Sequence, residues 1–144
     1  IDKKGNILKK TKKDFKIGYR KINLDKDLFF INATFSLKEN LLKNSASIIK
    51  EYLKDRRSKQ PTGQPSCGSV FKNPPQDYAA RLIELSRLKG KVRGRAQVSP
   101  KHANFIVNLG DAASDDIFGL MDEIREQVYR DHKIDLIPEV QILQ

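Results

Sequence analysis

The sequence predicts an α+β fold, because strand-like and helix-like spacings of apolar residues follow one another along its 144 residues. Three observations carry this prediction: alternating apolar residues near residue 30, later segments with helical apolar spacing, and a stretch dense in proline and glycine between them. The predicted order is strand, helix, loop, helix, strand, helix, strand.

The first two predicted elements lie in the N-terminal half of the chain. Segment 28–37 is rich in β-forming residues, and from Phe29 to Leu37 its odd-numbered positions stay apolar. Such alternation predicts a strand with one deeply buried face. From Glu39 to about Lys54, apolar residues recur at helical spacing, which predicts a helix that connects two folding units.

The middle of the chain is predicted to be a loop, because six prolines and glycines lie between Ser58 and Asp77. Asp77 is a plausible N-cap for a second helix that ends near Gly90. The remaining predicted elements are a strand at 103–109, a helix from an N-cap at Ser114 to about His132, and a strand at 136–143. Pro138 is tolerable only near the start of this last strand or on a sheet edge.

The net charge of +10 lies in the first 60 residues, which hold 17 Lys and Arg against 7 Asp and Glu. A basic surface of this kind is compatible with a nucleic-acid-binding module. A solvated lysine-rich face is the simpler explanation, and no aromatic residues interleave the N-terminal lysines to stack on bases. We therefore expect no nucleic-acid partner.

Composition also limits the cellular setting. No apolar run is long enough for a membrane span and no signal-peptide pattern opens the chain, so we expect a cytoplasmic protein without a membrane partner. The single cysteine, Cys67, excludes an internal disulfide and is expected to be a small packed residue. The chain starts at Ile1 and its one methionine is Met121, so a longer natural protein is expected.

The loop from Gln64 to Pro74 concentrates polar groups of the kind that chemistry requires. It contains Ser69, with Lys72 and Asn73 close by. A serine nucleophile needs a base, and the chain has two histidines, at positions 102 and 132. The sequence around Ser69 has no Gly-x-Ser-x-Gly elbow, so a hydrolase is a weak hypothesis, and a lone loop serine is more often a turn or cap residue.

Two further groups are candidates with open alternatives. His102 lies in a polar segment just before a predicted strand, where it is either a ligand contact or part of an ordinary polar loop. Glu139 follows Pro138, and its carboxylate is either partly buried or faces solvent from an edge strand. The two histidines and the scattered acids lack metal-ligand spacing, so no metal site is expected.

Motifs in a fixed order along the chain resemble the C-terminal half of the UDP-N-acetylenolpyruvoylglucosamine reductase family. The resemblance begins at Phe15 to Arg20, includes the loop from Pro65 to Pro74, and closes at Pro138-Glu139-Val140. The other motifs that carry it are 57–61, 82–84, 88–90, 96–99 and 101–108.

The resemblance implies a flavoenzyme in which NADPH reduces bound FAD and hydride then passes to the enolpyruvyl ether of a UDP-sugar substrate. Ser69 resembles the proton donor to the substrate carbon, and Arg20 with Glu139 resembles the pair that stabilises the enolate-like intermediate. The positions that resemble substrate contacts are Asn73, Lys72 and His102.

The same resemblance implies a domain plan. Residues 1–38 would finish an FAD-binding domain, 39–56 would form a connecting helix, and 57–144 would form a substrate-binding α+β domain of a monomer. The chain has no phosphate-binding motif such as G-x-G-x-x-G, so alone it is expected to bind FAD poorly and to be inactive.

Three positions depart from the family's pattern: Ile22 stands where serine is usual, Arg95 where glycine is usual, and Gln141 where a cation is usual. Arg95 puts a bulky charge where a tight backbone is expected. These departures keep an inactive remnant as an alternative to a reductase fragment, and the N-terminal lysines keep a basic nucleic-acid-binding module as another.

Overall fold

The computed structural model describes residues 1–39 and 44–142, and its helices and antiparallel sheets confirm the α+β class. The chain divides into two compact units, Ile1–Leu41 and Leu42–Gln144. That these units are the end of a flavin domain and a substrate domain stays a prediction. No helix in the described ranges is long and apolar enough to cross a bilayer.

The first unit contains a small hairpin. Strand β1 (Ile17–Gly18) pairs antiparallel with β2 (Lys21–Ile22), and only two residues connect them. A second contact joins the start of the unit to a later segment, where Asp2 forms an isolated bridge with Leu28. The hairpin contributes little to a core, since its four strand residues are all exposed.

The strand predicted at 28–37 is wrong for this chain. Beyond the bridge at Leu28 the segment has no strand assignment, and its large apolar side chains are more than half exposed. Extended backbone needs a neighbour to pair its N–H and C=O groups. Phe29 still exchanges two hydrogen bonds of 2.8 Å with Ile1, but the described residues give the segment no strand pairing beyond it. The exposed side chains are Phe29, Phe30, Ile31, Phe35 and Leu37.

The second unit begins with helix α1 (Ser45–Lys59), which continues beyond the predicted end near Lys54. Residues 40–43 of the predicted helix lie outside the described residues. The elements that follow are β3 (Ser66–Ser69), α2 (Ala79–Leu85), β4 (Val92–Arg93), β5 (Ala96–Val98), β6 (Phe105–Asn108) and α3 (Ser114–His132). These four strands form one antiparallel sheet in the order β3-β6-β5-β4.

Two predictions in the middle of the chain need correction. Strand β3 lies within the predicted loop, since pairing with β6 outweighs the low strand propensity of Gly68. Helix α2 starts at Ala79 with Tyr78 in the N-cap position. The Asp77 carboxylate, predicted as the cap, pairs instead with the Arg81 guanidinium.

Two predictions near the C-terminus also change. Helix α3 ends at His132 as predicted, but Ala113 rather than Ser114 occupies its N-cap position. The strand predicted at 136–143 is reduced to one bridge between Phe71 and Pro138, and residue 143 lies outside the described residues. The two hydrogen bonds of this bridge come from Lys72 and Glu139, so Pro138 lies at a position where its missing N–H is not needed for the pairing.

The core of the second unit lies between the sheet and the helices α2 and α3. Val98 and Ile106 contribute from the sheet, Ile83 from α2, and Leu120 and Ile124 from α3. Each fully buried side chain of the size of Leu or Ile contributes about 1.5–3 kcal/mol relative to leaving it exposed. Because one face of the sheet is packed in this core, the sheet is a rigid support for the segments along its edge strand β3.

Candidate active site

Ser69 is the last residue of β3 and is half-buried. It pairs with Phe105 of β6, whereas Ser66 pairs with Val107, so the register shifts between the two serines. Gly68 lies within this irregularity at φ +85°, a conformation that glycine adopts without a Cβ penalty. Bulges of this kind re-aim side chains next to functional sites.

The backbone after Ser69 is held by Asn104. The Val70 N–H donates to the Asn104 carbonyl at 2.9 Å, and the Phe71 N–H donates to Asn104 Oδ1 at 3.0 Å. Asn104 Nδ2 donates in turn to the Phe71 carbonyl at 2.8 Å. Asn104 is only 4% exposed, so water competes little for these bonds.

The C-terminal segment pairs with the same stretch of backbone. The Lys72 N–H donates to the Ile137 carbonyl at 2.9 Å, and the Glu139 N–H donates to the Val70 carbonyl at 2.8 Å. Glu139 is half-buried and lies beside the residue that follows Ser69. The half-burial of residue 139 favours the first of the two alternatives for its carboxylate, which stays a prediction.

Arg125 of α3 anchors this C-terminal segment to the domain. Its Nε donates to the Leu136 carbonyl at 3.0 Å, and a terminal nitrogen pairs with Asp135 at 3.0 Å. Leu136 is fully buried in the core. The position of Glu139 is thus set by a helix as well as by the sheet edge.

His102 belongs to the loop between β5 and β6. The buried Ser99 hydroxyl accepts the N–H groups of Lys101 and His102 at 3.2 and 3.3 Å, and the His102 ring meets Phe105 edge-on at 4.7 Å. Burial lowers the pKa of His102. The Asn104 N–H donates to His102 Nδ1 at 3.3 Å, so the neutral ring carries its proton on Nε2.

Asn73 makes a structural hydrogen bond in addition to its predicted contact with the substrate. Its Oδ1 accepts the N–H of Ala79 at 3.1 Å, which satisfies one of the unpaired donors at the start of α2. Asn73 is exposed, and its NH₂ group is the part that can reach a ligand. Helix α2 therefore orients the amide that was predicted to contact the substrate.

Arg20 lies in the first unit, at the turn between β1 and β2. It has φ +53°, which is uncommon for a residue with a Cβ, and its guanidinium carbon lies 5.9 Å from the centre of the Tyr19 ring. The other predicted site residues all belong to the second unit. Its backbone pairing brings Ser69, Lys72 and Glu139 together, while the partnership of Arg20 with them stays a prediction.

Arg95, a departure from the family pattern, is accommodated at the turn between β4 and β5. Its side chain donates to the carbonyls of Leu109 and Gly110 at 3.2 and 3.0 Å. The next residue pairs with Asn108, at the end of β6 opposite to the residue that faces Ser69. Arg95 therefore serves the turn and lies away from the Ser69 end of the sheet. The other two departures are both exposed, namely Ile22 and Gln141.

Two residues that shape this site were not predicted to do so. The sequence places Asn104 in a motif before a strand, and an amide between Ala103 and Phe105 is a signal of a buried hydrogen-bonding group. Arg125 gives no such signal, because it is one of many charges on an amphipathic helix.

Cys67 differs from its expectation, whereas His132 agrees with the weak case for a hydrolase. Cys67, expected to be packed, is exposed on β3. His132, considered as a base for a serine nucleophile, lies with Nε2 3.2 Å from the Ser86 hydroxyl. The described contacts of His132 therefore give no support to a hydrolase centred on Ser69.

Two cavities among the described residues are poor candidates for a flavin site. A cavity of about 190 Å³ in the first unit is below the usual size of ligand pockets, and FAD is a large ligand. A cavity of about 420 Å³ at α3 is lined by three carboxylates and one guanidinium, that of Arg125, so its excess of negative charge disfavours a pyrophosphate. We therefore assign no FAD contact to this chain.

Comparisons with known proteins agree with the order of the motifs. The family model described as UDP-N-acetylenolpyruvoylglucosamine reductase, C-terminal domain, matches residues 60–143. The UDP-N-acetylenolpyruvoylglucosamine reductase from Alkalilimnicola ehrlichii is 43% identical over 143 residues, which cover 99% of this chain and 48% of the relative. The one from Coxiella burnetii strain Dugway is 46% identical over 143 residues, with 99% and 45% covered.

A solved structure has the same fold. The crystal structure of UDP-N-acetylenolpyruvylglucosamine reductase from Thermus caldophilus superposes with a TM-score of 0.75 at 32% sequence identity. The match covers 92% of this chain and 47% of that protein. The chain spans about half the length of the curated relatives it matches.

Proposed function

This chain belongs to the UDP-N-acetylenolpyruvoylglucosamine reductase family, and from that premise we propose that it carries the protonating part of such a reductase's active site. In the complete protein, NADPH would be the reductant and FAD would supply the hydride chemistry. The substrate would be the enolpyruvyl ether of a UDP-sugar, reduced during peptidoglycan precursor synthesis. We further propose that the protein acts in the cytoplasm as a monomer.

The observation that supports this proposal best is that Ser69 and Glu139 are both neighbours of Val70, one along the chain and the other across a hydrogen bond. Val70 directly follows Ser69, and its carbonyl accepts the Glu139 N–H at 2.8 Å. Groups far apart in sequence are thereby held at one end of one sheet. A hydroxyl and a carboxyl group can then act on the same substrate.

The roles follow from adding hydrogen across a carbon–carbon double bond. When hydride reaches the methylene carbon, negative charge develops on the neighbouring carbon and its carboxylate. Ser69 donates the proton to that carbon, while Glu139 and Arg20 polarise and stabilise the charged intermediate. A serine is a poor acid, so it depends on this stabilisation. An arginine can bind a carboxylate bidentately.

The substrate contacts are proposed for residues on the segments near Ser69. Lys72 would offer a cation to an anionic group of the UDP-sugar, and Asn73 would offer its NH₂ group. His102 would contribute its neutral Nε2–H as a donor. Hydrogen bonds hold all three segments in place, so these positions are set before substrate arrives.

The test is the reaction of the complete protein that contains this chain. We expect NADPH consumption that requires the enolpyruvyl UDP-sugar, with formation of the lactyl ether as product by mass spectrometry. The matched control is the same assay with UDP-N-acetylglucosamine, which lacks the double bond. NADPH consumption that is equal with both sugars, or absent with both, would refute the proposed function.

A further inference from the structure

Asn104 has a position that no proposed catalytic role uses. It directly precedes β6, it is buried, and its side chain reaches across to the segment that follows Ser69. We propose that Asn104 is a positioning residue, which fixes the Ser69 hydroxyl relative to Glu139 for the protonation step. This inference rests on the proposed function, because it assumes that Ser69 delivers the proton.

The Asn104 side chain takes the place of a facing strand residue opposite Phe71. Its Oδ1 accepts the Phe71 N–H at 3.0 Å and its Nδ2 donates to the Phe71 carbonyl at 2.8 Å, and we call this pair of bonds the Asn104 clamp. In a hydrogen-bonded pair of an antiparallel sheet, two facing residues exchange the same two bonds through their N–H and C=O groups. An amide supplies both an acceptor and a donor, whereas a carboxylate supplies only acceptors and an alkyl group supplies neither.

The hydrogen bonds of the Asn104 side chain are needed because the ladder between β3 and β6 is irregular. The register shifts between Ser66 and Ser69, and the paired positions of β3 and β6 end at Ser69, before Phe71. Without the Asn104 side chain, the buried N–H and C=O of Phe71 would each lose a partner. Buried backbone groups without partners are costly, so the segment would move to regain hydrogen bonds.

Movement of this segment would reach both proposed catalytic groups. Val70 donates its N–H to the Asn104 carbonyl and accepts the Glu139 N–H on its own carbonyl. Val70 is thus the one residue between Ser69 and the Asn104 clamp. Loss of the clamp therefore changes the distance between the Ser69 hydroxyl and the substrate carbon. It also weakens the pairing of Val70 with Glu139, although Arg125 still anchors the C-terminal segment.

A second asparagine close by in the sequence provides a matched control. Asn108 is the last residue of β6, and its Oδ1 accepts the N–H groups of Gly110 and Ala112 at 2.8 and 3.1 Å. It makes side-chain to backbone hydrogen bonds, as Asn104 does, but at the opposite end of the strand. Asn108→Asp makes the same chemical change and keeps an acceptor for both N–H groups, so it controls for the added carboxylate on β6 without the loss of a donor.

The experiment compares Asn104→Asp with Asn108→Asp in the complete protein. Asn104→Asp keeps an acceptor for the Phe71 N–H but places a carboxylate oxygen against the Phe71 carbonyl. We expect single-turnover oxidation of the reduced flavin by substrate to slow by roughly 10–100-fold, the usual effect of a small misplacement. Reduction of the flavin by NADPH should keep its wild-type rate, and Asn108→Asp should leave both half-reactions unchanged.

A double-substitution comparison separates positioning from simple weakening. In a Ser69→Ala background, where the proton donor is already absent, Asn104→Asp should slow the same half-reaction by a much smaller factor, because only its effect through Glu139 remains. Equal slowing by Asn104→Asp in the wild-type and Ser69→Ala backgrounds would overturn the proposal. So would an equal slowing of flavin reduction by NADPH and flavin oxidation by substrate. The neutral variant Asn104→Ser, which is too short for the clamp, should give the same pattern if Asn104→Asp folds poorly.

Hydrogen exchange of the complete protein gives a readout that does not depend on activity. Asn104→Asp should speed exchange at the amides of Val70, Phe71 and Glu139, while the amides that pair β5 with β6 keep their protection. Unchanged exchange at those three amides would overturn the proposal. A wild-type protein without reductase activity would refute the proposed function instead, and exchange would still decide whether Asn104 holds the Ser69 segment.

Discussion

His102 shows how a single side chain in this site is tuned by its surroundings. Burial lowers its pKa below the ordinary value of about 6.5, and the Asn104 N–H occupies Nδ1 in the neutral ring. Protonation of Nδ1 would remove this acceptor. The ring is therefore neutral at pH 7 and available as a hydrogen-bond donor through Nε2.

The lowered pKa of His102 predicts a pH dependence of stability. The unfolded chain binds this proton more readily than the folded chain, so the contribution of His102 is fully present above about pH 6.5. It is lost as the pH falls from there through the lower folded-state pKa. We expect His102→Gln to reduce the slope of unfolding free energy against pH in this window, as measured by urea denaturation.

The control for this prediction is His132→Gln, which removes the other histidine of the chain. NMR titration of the two imidazole signals provides a direct check, since the His102 signal should change below pH 6.5. A His102 signal that titrates above pH 6.5 would contradict the assigned environment.

At the scale of elements, the turn between β4 and β5 is fastened to α3. The Asp116 carboxylate accepts the N–H groups of Arg95 and Ala113, both at 3.1 Å. Arg93 lies over α3 and pairs with Glu123 at 2.7 Å. Residues on both strands of the turn thus contact α3. The long Arg95 side chain lies against the carbonyls that follow β6, so the fold accommodates arginine where the family usually has glycine.

Gly94 is the point in this turn where a side chain would not fit. It has φ +52°, and a Cβ there would overlap the Asp116 carboxylate. We expect Gly94→Ala to lower the free energy of unfolding by more than about 1 kcal/mol, the cost of a left-handed conformation alone. Urea denaturation followed by circular dichroism measures this change.

Gly63→Ala is the matched control for Gly94→Ala. A Cβ at Gly63 would meet no atom within 4 Å, and its φ lies outside the left-handed region, so this substitution should change stability little. Equal destabilisation by both substitutions would contradict the role given to the turn.

Prediction from sequence succeeds where an element is long and periodic. Helix α3 has apolar residues at helical spacing along its length, and its end at His132 agrees with the prediction. Strands β3, β4 and β5 have four, two and three residues, too short for a recognisable period. Their strand character comes from pairing within the sheet, which is a tertiary effect that local propensity does not contain.

The sequence predicts which residues carry the chemistry of the site, but not which residues hold them in position. Motif order alone singles out Ser69 and Glu139, and backbone pairing places both next to Val70. The Asn104 clamp depends on a shift in the register between β3 and β6, and no local sequence pattern predicts where such a shift occurs. The anchoring of the C-terminal segment by Arg125 likewise depends on a long-range contact.

At the scale of the whole molecule, the two units differ in how they bury apolar residues. The second unit has one core of buried side chains from its sheet and helices. In the first unit, large apolar side chains such as Phe35 and Leu37 are 78% and 86% exposed. A surface of that kind is normally covered by protein, which agrees with a chain that matches about half of its relatives' length.

The central claim is that Ser69 gives the proton to the substrate carbon. The direct measurement is single-turnover oxidation of the reduced flavin by the enolpyruvyl substrate in the complete protein, comparing Ser69→Ala with Ser66→Ala. Ser66 is exposed on the same strand and serves as the control. We predict that Ser69→Ala slows this half-reaction by about 10²–10⁴-fold, the usual contribution of a general acid, while Ser66→Ala and the NADPH half-reaction keep wild-type rates. A wild-type rate of substrate reduction in Ser69→Ala would contradict the claim.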